Sequence, residues 1–429
     1  MKWLTGDKEA ILAEISLNQR ATNEGLQEIE NRVKTILQTV REKGEHALQD
    51  YSEEFDKVAI DSLEVSPDQM ESAYARVPQE VLEALEGAKK NILSYHEHQK
   101  QSGFIDTSRK GVLRGQLVLP LERVGVYVPG GTAAYPSSVL MNVLPAKIAG
   151  VKEIIMVTPP SVAGIPDVIL AAAKIAGVSR IFQVGGAQAV AALAYGTSSI
   201  PKVDKIVGPG NIYVATAKKL VYGEVAIDMI AGPSEIGVLA DASANPTYVA
   251  ADLLSQAEHD VLARALLVTN SAEWAKEVEK EIERQLETLP REKIARAAVD
   301  NQGFVIVVET IEEMFEVMNA LAPEHLEIQL ENPLQYLGEV KNAGSVFLGA
   351  YASEPVGDYF AGTNHVLPTN GTSRFYSPLG VYDFVKHTEF TYYTKESLGE
   401  DRKSITTLAR TEGLEAHARA IDIRFREEQ

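Results

Sequence analysis

Four histidines, His259, His325, His365 and His417, each stand in a short polar stretch of a chain that contains no cysteine. A bound metal would therefore be held by nitrogen and oxygen atoms. The absence of a thiol also bears on redox chemistry, because an enzyme that oxidises an aldehyde usually forms a covalent thiolate adduct. A chain of this composition would have to activate water instead.

The stretch SQAEHD ends a predicted helix and contains Gln256 and His259. Residues three apart share one helix face, so these two side chains could point at a common atom. Taken alone, such a pair is more often an ordinary polar helix end. Asp358 and His417 would complete a set of two imidazoles and two oxygen donors, which suits zinc or a similar divalent metal with one position open for substrate.

The stretch APEHLEI places Glu324 directly beside His325 at the entrance to a predicted strand. Successive strand residues face opposite ways, so a shared role requires the pair to lie at the strand mouth, where the backbone turns. Imidazole suits the base that takes a hydroxyl proton as hydride leaves an alcohol. A solvated acid and histidine with no catalytic role is the alternative.

The elements that must position these residues alternate between helix and strand. Between about residues 117 and 241, short β-branched runs are each followed by a glycine or proline turn and an alanine-rich helix. This alternation predicts a parallel sheet. The predicted strands of this part are Val124–Val128, Glu153–Thr158, Arg180–Val184, Lys205–Val207 and Ile236–Ala240.

Glycine-rich turns follow three of these strands, at residues 129–132, 185–188 and 208–211. Open α/β sheets bind ligands at such strand ends, and backbone amides at a helix start suit phosphate. None of the turns is a full G-x-G-x-x-G, so each is a weak dinucleotide signal. The sequence AKIAGV also occurs twice, and we predict that Gly150 and Gly177 cap the two helices.

After residue 241 the pattern predicts a second α/β unit, with strands Ala265–Thr269, Phe304–Val308, His325–Leu330 and Ser345–Leu348. Residues 6–100 and 388–429 read as charged helix. The length of 429 residues predicts two to four structural units, and the net charge of −19 argues against nucleic acid or an anionic membrane as the main partner. The polar N-terminus and the lack of a long apolar run predict a cytoplasmic protein.

From about residue 125 to residue 420 the chain resembles the histidinol dehydrogenase family. The resemblance rests on motifs in the expected order: VGVYVPGGTAAYPSSVLMN, GGAQAVAAL, KIVGPGN, AGPSE, SQAEHD, APEHLE, VGDY, AGTNHVLPT, RFYSPLGVYDF and EGLEAHA. The first hundred residues add little motif information.

The predicted fold is α/β, with two Rossmann-like parallel-sheet domains and small helical N- and C-terminal extensions. Residues 1–25 are the predicted N-terminal helical extension. Residues 26–126 and 239–380 form a discontinuous α/β domain with the metal and catalytic motifs, and residues 127–238 form the second α/β domain. Residues 381–429 are the predicted C-terminal helical segment, which reaches the partner subunit.

The resemblance implies oxidation of L-histidinol to L-histidine through L-histidinal, the last steps of histidine biosynthesis. It also implies that two NAD are used per substrate and that one zinc is bound per subunit. The implied zinc ligands are Gln256, His259, Asp358 and His417. The implied proton-transfer residues are Glu324 and His325. His325 would be the base for alcohol oxidation, and Glu324 would activate the water that hydrates the aldehyde.

Further roles follow from the same resemblance. Tyr127, Gln188 and Asn211 match the family's NAD contacts. Ser234 and Glu412 join His325 and the four metal ligands around histidinol, and His365 is expected to help shape that pocket. The family is a homodimer whose C-terminal segment enters the partner's site, so Glu412 and His417 are predicted to act in trans.

Three alternatives stay open at this point. A relative could keep zinc and NAD but oxidise another small alcohol. A zinc hydrolase would use Glu324 and the metal without binding a dinucleotide, so NAD binding separates it from the main interpretation. A non-catalytic nucleotide-binding or scaffold protein would leave the acid, the base and the metal donors unexplained.

Overall fold

The computed structural model of the protein describes residues 1–6, 8–20, 26–130 and 134–426, with the backbone alone at 16–20 and 26. Part of the predicted N-terminal extension, the glycine turn at 131–132 and the last three residues lie outside the described residues. The chain forms two compact units. The first unit comprises Met1–Gln99 and Leu121–Phe384, and the second comprises Lys100–Pro120 and Val385–Gln429.

The described strands, in chain order, are β1 (Lys2–Thr5), β2 (Phe104–Asp106), β3 (Val112–Pro120), β4 (Arg123–Tyr127), β5 (Glu153–Thr158), β6 (Arg180–Gln183), β7 (Lys205–Val207), β8 (Ala226–Ile227), β9 (Glu235–Ala240), β10 (Arg264–Thr269), β11 (Phe304–Val307), β12 (His325–Gln329), β13 (Ser345–Leu348) and β14 (Val385–Tyr393).

The described α-helices are α1 (Lys8–Arg20), α2 (Leu26–Lys43), α3 (Glu45–Tyr51), α4 (Pro67–Arg76), α5 (Gln79–His96), α6 (Pro136–Ala149), α7 (Asp167–Ala176), α8 (Gly186–Tyr195), α9 (Ile212–Val221), α10 (Pro246–Ala257), α11 (Ala272–Leu286), α12 (Glu292–Gln302), α13 (Ile311–Leu321), α14 (Glu354–Tyr359), α15 (Lys395–Thr411) and α16 (Glu415–Asp422). None of the helices in this described part of the chain is both long and apolar enough to cross a membrane.

The first unit contains two parallel sheets. The five-stranded sheet has the order β6-β5-β4-β7-β8, and the six-stranded sheet has the order β1-β11-β10-β9-β12-β13. In the first sheet the chain leaves β4 toward β6 and then returns to the other side of β4 with β7. In the second sheet it leaves β9 toward β11 and returns with β12. Each sheet therefore has a topological switch point, between β4 and β7 and between β9 and β12.

Helices cover both faces of the five-stranded sheet. Along β5, Ile154 and Met156 pack into a core with α6 and α7, whereas Ile155 and Val157 pack into a core with α2 and α8. Strand residues alternate between two buried faces, and this explains the continuous apolar run in the sequence. The six-stranded sheet is built the same way, with α10 to α12 on one face and α1 and α13 on the other.

The predicted fold class, α/β with two parallel sheets, is confirmed. Glu153–Thr158, Lys205–Val207 and Ser345–Leu348 have the predicted bounds, and the other predicted strands differ by a residue or two at their ends. Gly150 and Gly177 both adopt left-handed backbone conformations after α6 and α7, with φ of 92° and 81°. The repeated AKIAGV sequence therefore does cap two helices.

Three details of the prediction are wrong. The N-terminal extension is not wholly helical, because Lys2–Thr5 forms an edge strand that pairs with β11. Strand β9 belongs to the six-stranded sheet and runs across the predicted domain boundary at residue 238. The charged segment after Thr388 does not begin as helix, because Val385–Tyr393 pairs antiparallel with Val112–Pro120. The four-part domain division as a whole stays a prediction.

The second unit is a three-stranded antiparallel sheet of order β14-β3-β2 together with α15 and α16. Thr394 caps α15 through its side chain, which accepts a bond from Ser397 N. Gly413, with φ of 76°, makes the tight turn between the two helices.

Candidate active site

Glu324 and His325 lie at the mouth of β12, which begins at His325. Just before them, Ala322 adopts the left-handed conformation with φ of 51°, where the chain leaves α13 and turns into the strand. Both side chains are buried, with 6% and 3% exposure. The pair therefore meets the condition set by its sequence: the two adjacent residues share one location because the backbone turns there.

The backbone of Glu235 holds both members of this pair. Its N–H donates to Glu324 Oε2 at 2.9 Å, and its carbonyl oxygen lies 3.1 Å from His325 Nδ1. The Glu235 side chain is itself anchored, accepting bonds from Arg264 Nη1 at 2.7 Å and Asn370 N at 3.1 Å. A carbonyl can only accept, so His325 Nδ1 must carry a proton.

This bond fixes the tautomer of neutral His325 and leaves a lone pair on Nε2. Nε2 is buried and, among the described residues, has no hydrogen-bond partner. It lies 3.5 Å from Asp358 Oδ1. A buried, unpartnered acceptor nitrogen is what a general base needs before substrate arrives.

Burial and neighbouring charges shift the pKa values of both members of this pair. Burial raises the pKa of Glu324 to about 8, although the adjacent His325 opposes the shift. Burial alone would lower the pKa of His325, but the Glu324 and Asp358 carboxylates outweigh it and raise that pKa to about 10. With no cation on Asp358 these carboxylates favour the protonated ring, so His325 can act as a base only when a bound cation offsets their charge.

His259, Glu354 and Asp358 bring one ligand atom each to within 4.8 Å of one another. His259 follows the last turn of α10, and the other two residues lie one helical turn apart on α14. Burial lowers the pKa of His259, which favours the neutral imidazole that binds a metal. Near the end of α10, Gln256 is 1% exposed, and its Oε1 has no hydrogen-bond partner within the described part of the chain.

This donor set fits a divalent metal. A buried amide oxygen with no partner costs free energy unless something binds it, and a cation would do so. One imidazole and carboxylates with no thiolate suit zinc or a related metal. The structure therefore brings together His259 and Asp358 of the predicted ligand set, adds Glu354, and leaves Gln256 Oε1 available.

The whole group gathers at the amino-terminal edge of the six-stranded sheet. His325 begins β12, and Ser234, which is half-buried, directly precedes β9. Helix α10 follows β9 and returns beside it, so that its last turn comes back toward the same edge. Open α/β sheets usually bind ligands at the opposite, carboxyl edge; the sequence placed Glu324 and His325 at the entrance to a strand but gave no location for the metal ligands.

His365 joins the site from the loop after α14. Its Nδ1 lies 3.0 Å from the Asp358 carbonyl oxygen, and its Nε2 lies 3.4 Å from Ser138 Oγ. Burial lowers its pKa, although the Asp358 carboxylate opposes the shift. The His365 ring therefore packs beside Asp358, with both of its nitrogens near polar partners.

The predicted cofactor residues lie around the switch point of the five-stranded sheet. Tyr127 ends β4, is 3% exposed, and accepts a bond from Gly186 N through its hydroxyl at 3.1 Å. Gln188 is buried in the first turn of α8. Asn211 is exposed and caps α9, with its Oδ1 accepting from Tyr213 N and Val214 N. These carboxyl strand ends are where the sequence predicted a ligand site.

Glu412 and His417 belong to the second unit. Glu412 follows α15 and His417 lies in α16, and both are exposed. They line an open groove between these two helices, together with apolar residues that include Leu408 and Leu414.

Sequence reasoning missed two residues of the site. Glu354 stands four residues before Asp358, a spacing that puts both carboxylates on one helix face and could have been noticed. Glu235 acts on the acid–base pair through its backbone, and no side-chain pattern signals such a role.

A buried imidazole beside a cluster that could hold a metal, in a unit whose second parallel sheet has its own switch point, fits an α/β enzyme of the dehydrogenase class. A family model described as "Histidinol dehydrogenase" matches residues 19–425, and the chain belongs to this family. A histidinol dehydrogenase of Streptococcus mutans is 61% identical over 424 residues, covering 99% of each chain. One of Listeria monocytogenes is 59% identical over 428 residues, covering 100% of each.

A solved structure of the same family shares the fold over nearly the whole chain. The crystal structure of histidinol dehydrogenase from Elizabethkingia anophelis superposes with a TM-score of 0.93 at 39% identity, covering 99% of this chain and 98% of that one. The likeness extends over both units and leaves no large segment unmatched.

Proposed function

We propose that the protein oxidises L-histidinol to L-histidine through L-histidinal. Each substrate molecule would consume two NAD, and each subunit would bind one zinc. The observation that carries the chemistry is His325: its Nδ1 is held by Glu235 O, and its buried Nε2 is unpartnered among the described residues. The substrate is inferred from the family to which the chain belongs.

In the first oxidation, His325 Nε2 takes the hydroxyl proton while the carbon gives up a hydride. NAD, when bound, supplies the hydride acceptor. The loss of one proton and one hydride converts the alcohol to the aldehyde. The Glu235 carbonyl keeps the Nδ1 proton in place, so the accepting nitrogen is always the one that faces Asp358.

In the second oxidation, Glu324 removes a proton from the water that adds to the aldehyde carbon. The resulting hydrate anion gives up a second hydride, for which a second NAD would be the acceptor, and the acid so formed loses its one hydroxyl proton to give the carboxylate of L-histidine. Glu324 is buried, and Glu235 N already donates to one of its oxygens. The other oxygen is therefore the one proposed to meet the water.

Gln256, His259 and Asp358 are the proposed zinc ligands of this unit, with His417 as the fourth. Zinc, when bound, supplies a Lewis acid and template for the amine and ring nitrogen of the substrate. Gln256 Oε1 supports this assignment because it is buried without a partner among the described residues. Ser234, Glu412 and His325 are proposed to complete the substrate pocket.

Tyr127, Gln188 and Asn211 are the proposed NAD contacts. They lie around the switch point of the five-stranded sheet, next to the start of α8 and the start of α9. Backbone amides at helix starts favour anionic groups, as a dinucleotide pyrophosphate requires.

We also propose a homodimer in which Glu412 and His417 complete the partner's site. Both residues are exposed and lie in a unit separate from the acid–base pair. The test mixes two inactive variants, Glu324→Gln and His417→Ala, under conditions in which subunits exchange. Trans action predicts recovery of up to one intact site per mixed dimer, and no recovery despite proven exchange would contradict it.

Substrate choice needs its own measurement. We expect kcat/KM for L-histidinol to exceed that for amino alcohols lacking an imidazole by at least about 100-fold, since a site built to bind polar groups rejects analogues that lack them. A higher value for another small alcohol would favour the alternative dehydrogenase. Failure to bind NAD would favour a zinc hydrolase.

A further inference from the structure

One face of β12 carries three buried polar side chains in a row. His325, Glu327 and Gln329 are 3%, 0% and 4% exposed, and alternate residues of a strand share a face. His325 is the proposed base, but the proposed mechanism uses neither of the other two. Buried polar groups destabilise a core unless they are well bonded, so the bonds of Glu327 and Gln329 indicate their role.

Those bonds lead to both helices that carry proposed zinc ligands. Glu327 Oε1 accepts from Glu354 N at 2.8 Å, at the first residue of α14, which carries Asp358. Gln329 Nε2 donates to Glu327 Oε2 at 3.1 Å and to Asp252 Oδ2 at 3.5 Å. Asp252 lies on α10, one turn before Gln256. We name Asp252, Glu327 and Gln329 the polar hub.

The two carboxyl groups of the polar hub are adjacent and buried. Burial, and then the neighbouring Asp252, raises the pKa of Glu327, and burial likewise raises the pKa of Asp252. Gln329 Nε2 donates to one oxygen of each, so both carboxyl groups are bonded to the same amide nitrogen. The polar hub therefore connects its neighbours as a hydrogen-bonded group.

A second connection joins the same two helices directly. Ser255 Oγ, on α10, lies 2.9 Å from Glu354 Oε2, on α14, and 2.8 Å from Asp252 O within its own helix. Glu354 is 2% exposed and belongs to the cluster of His259 and Asp358. Helices α10 and α14 are thus tied to each other and to the strand of the acid–base pair.

We infer that the polar hub sets the geometry of the metal site, with Glu327 as the positioning residue that fixes Asp358 and Gln256 relative to His325. The inference rests on the proposed zinc site and adds residues that touch neither metal nor substrate. Partners of this kind orient metal ligands, and their loss typically weakens metal binding about 10- to 100-fold.

The test compares two changes at one position. Glu327→Met keeps the side-chain volume but cannot accept a bond from Glu354 N. Glu327→Gln keeps an oxygen that can accept from Glu354 N. The matched control is Thr269→Val, an isosteric change in β10, two strands from β12 in the same sheet, that removes a bond from Ser271 N to a buried hydroxyl.

The first readout is the zinc dissociation constant of the full-length protein, measured by competition with a chromophoric chelator. We expect a rise of about 10- to 100-fold in Glu327→Met, and less than about threefold in Glu327→Gln and Thr269→Val. The second readout, amide hydrogen exchange of the metal-free protein, should show faster exchange across Glu354–Tyr359 in Glu327→Met alone.

Unchanged zinc affinity in Glu327→Met, or equal losses in Glu327→Gln and Glu327→Met, would overturn the inference. If Glu327→Met does not fold, Ser255→Ala makes the milder cut, and zinc affinity equal to that of the unchanged protein would then refute the coupling of α10 to α14. An unchanged protein that binds no zinc would instead refute the proposed metal site itself, so the two failures are distinguishable.

Discussion

A buried ion pair beneath the proposed cofactor loop gives a sharp prediction about the five-stranded sheet. Lys218, on α9, pairs with Asp228, and their side chains are 3% and 1% exposed. Lys218 Nζ also donates to Gly208 O at 2.9 Å, and Asp228 Oδ2 accepts from Gly208 N at 2.8 Å. The pair therefore holds both backbone polar groups of Gly208, at the start of the loop that ends at Asn211.

The two side chains should be strongly coupled. Removing one partner leaves the other charge buried and unpaired, which costs about 3–5 kcal/mol, whereas removing both costs much less than the sum. We expect Lys218→Met to lower the free energy of unfolding by about 3–5 kcal/mol. The double variant Lys218→Met, Asp228→Asn should recover at least about 1 kcal/mol relative to additivity.

Urea denaturation measures these free energies, and titration with NAD measures the effect on the loop. We expect the NAD dissociation constant of Lys218→Met to rise at least about tenfold, equivalent to about 1.4 kcal/mol. The control is Arg41→Met, which breaks an exposed pair with Glu224 and should cost no more than about 1 kcal/mol. A Lys218→Met variant no less stable than Arg41→Met would refute the reasoning.

Three further predictions concern single positions. His325→Asn should slow oxidation of L-histidinol by about 10²- to 10⁴-fold and affect oxidation of supplied L-histidinal less; equal losses would contradict the division of labour. Burial raises the pKa of Asp56 to about 6, above the ordinary value of 3.8, so the folded state binds the proton more tightly and loses stability as pH rises through this range. Asp56→Asn should therefore stabilise the protein by about 1–2 kcal/mol above pH 6, after allowance for screening, and change little below about pH 4 in urea melts. Gly208→Ala should cost at least about 2 kcal/mol in the same assay, because φ is +108° and a Cβ would lie 2.2 Å from Tyr127 O; a neutral result would show that the loop relaxes.

Strands buried on both faces were predictable, because their apolar runs are continuous. Glu153–Thr158 is such a run, and the structure gives it the predicted bounds. Val385–Tyr393 was missed because all of its side chains are exposed or half-buried, so VKHTEFTYY shows no apolar run. Lys2–Thr5 was missed because four residues at a sheet edge carry too little pattern to separate them from a helix start.

Most residues of the candidate site were predictable, as was the position of Glu324 and His325 at a strand entrance, but the way the site residues come together was not. The motifs named His259 and Asp358, which the structure brings together with Glu354. The gathering of these residues at the amino edge of the six-stranded sheet depends on β9 lying next to β12, two strands about 90 residues apart. Sequence periodicity gives the type of each strand but not its neighbours. The sequence gives no sign that Glu327 has a structural role, because its bond to Glu354 N depends on the tertiary structure.

The central claim is a zinc-dependent oxidation that removes two hydrides from one substrate. The direct measurement is the amount of NADH formed per molecule of L-histidinol by the purified protein, before chelation, after chelation and after zinc is restored. The account predicts about two NADH per substrate, loss of turnover on chelation and its return with zinc. One NADH per substrate, or turnover that survives complete removal of metal, would contradict it.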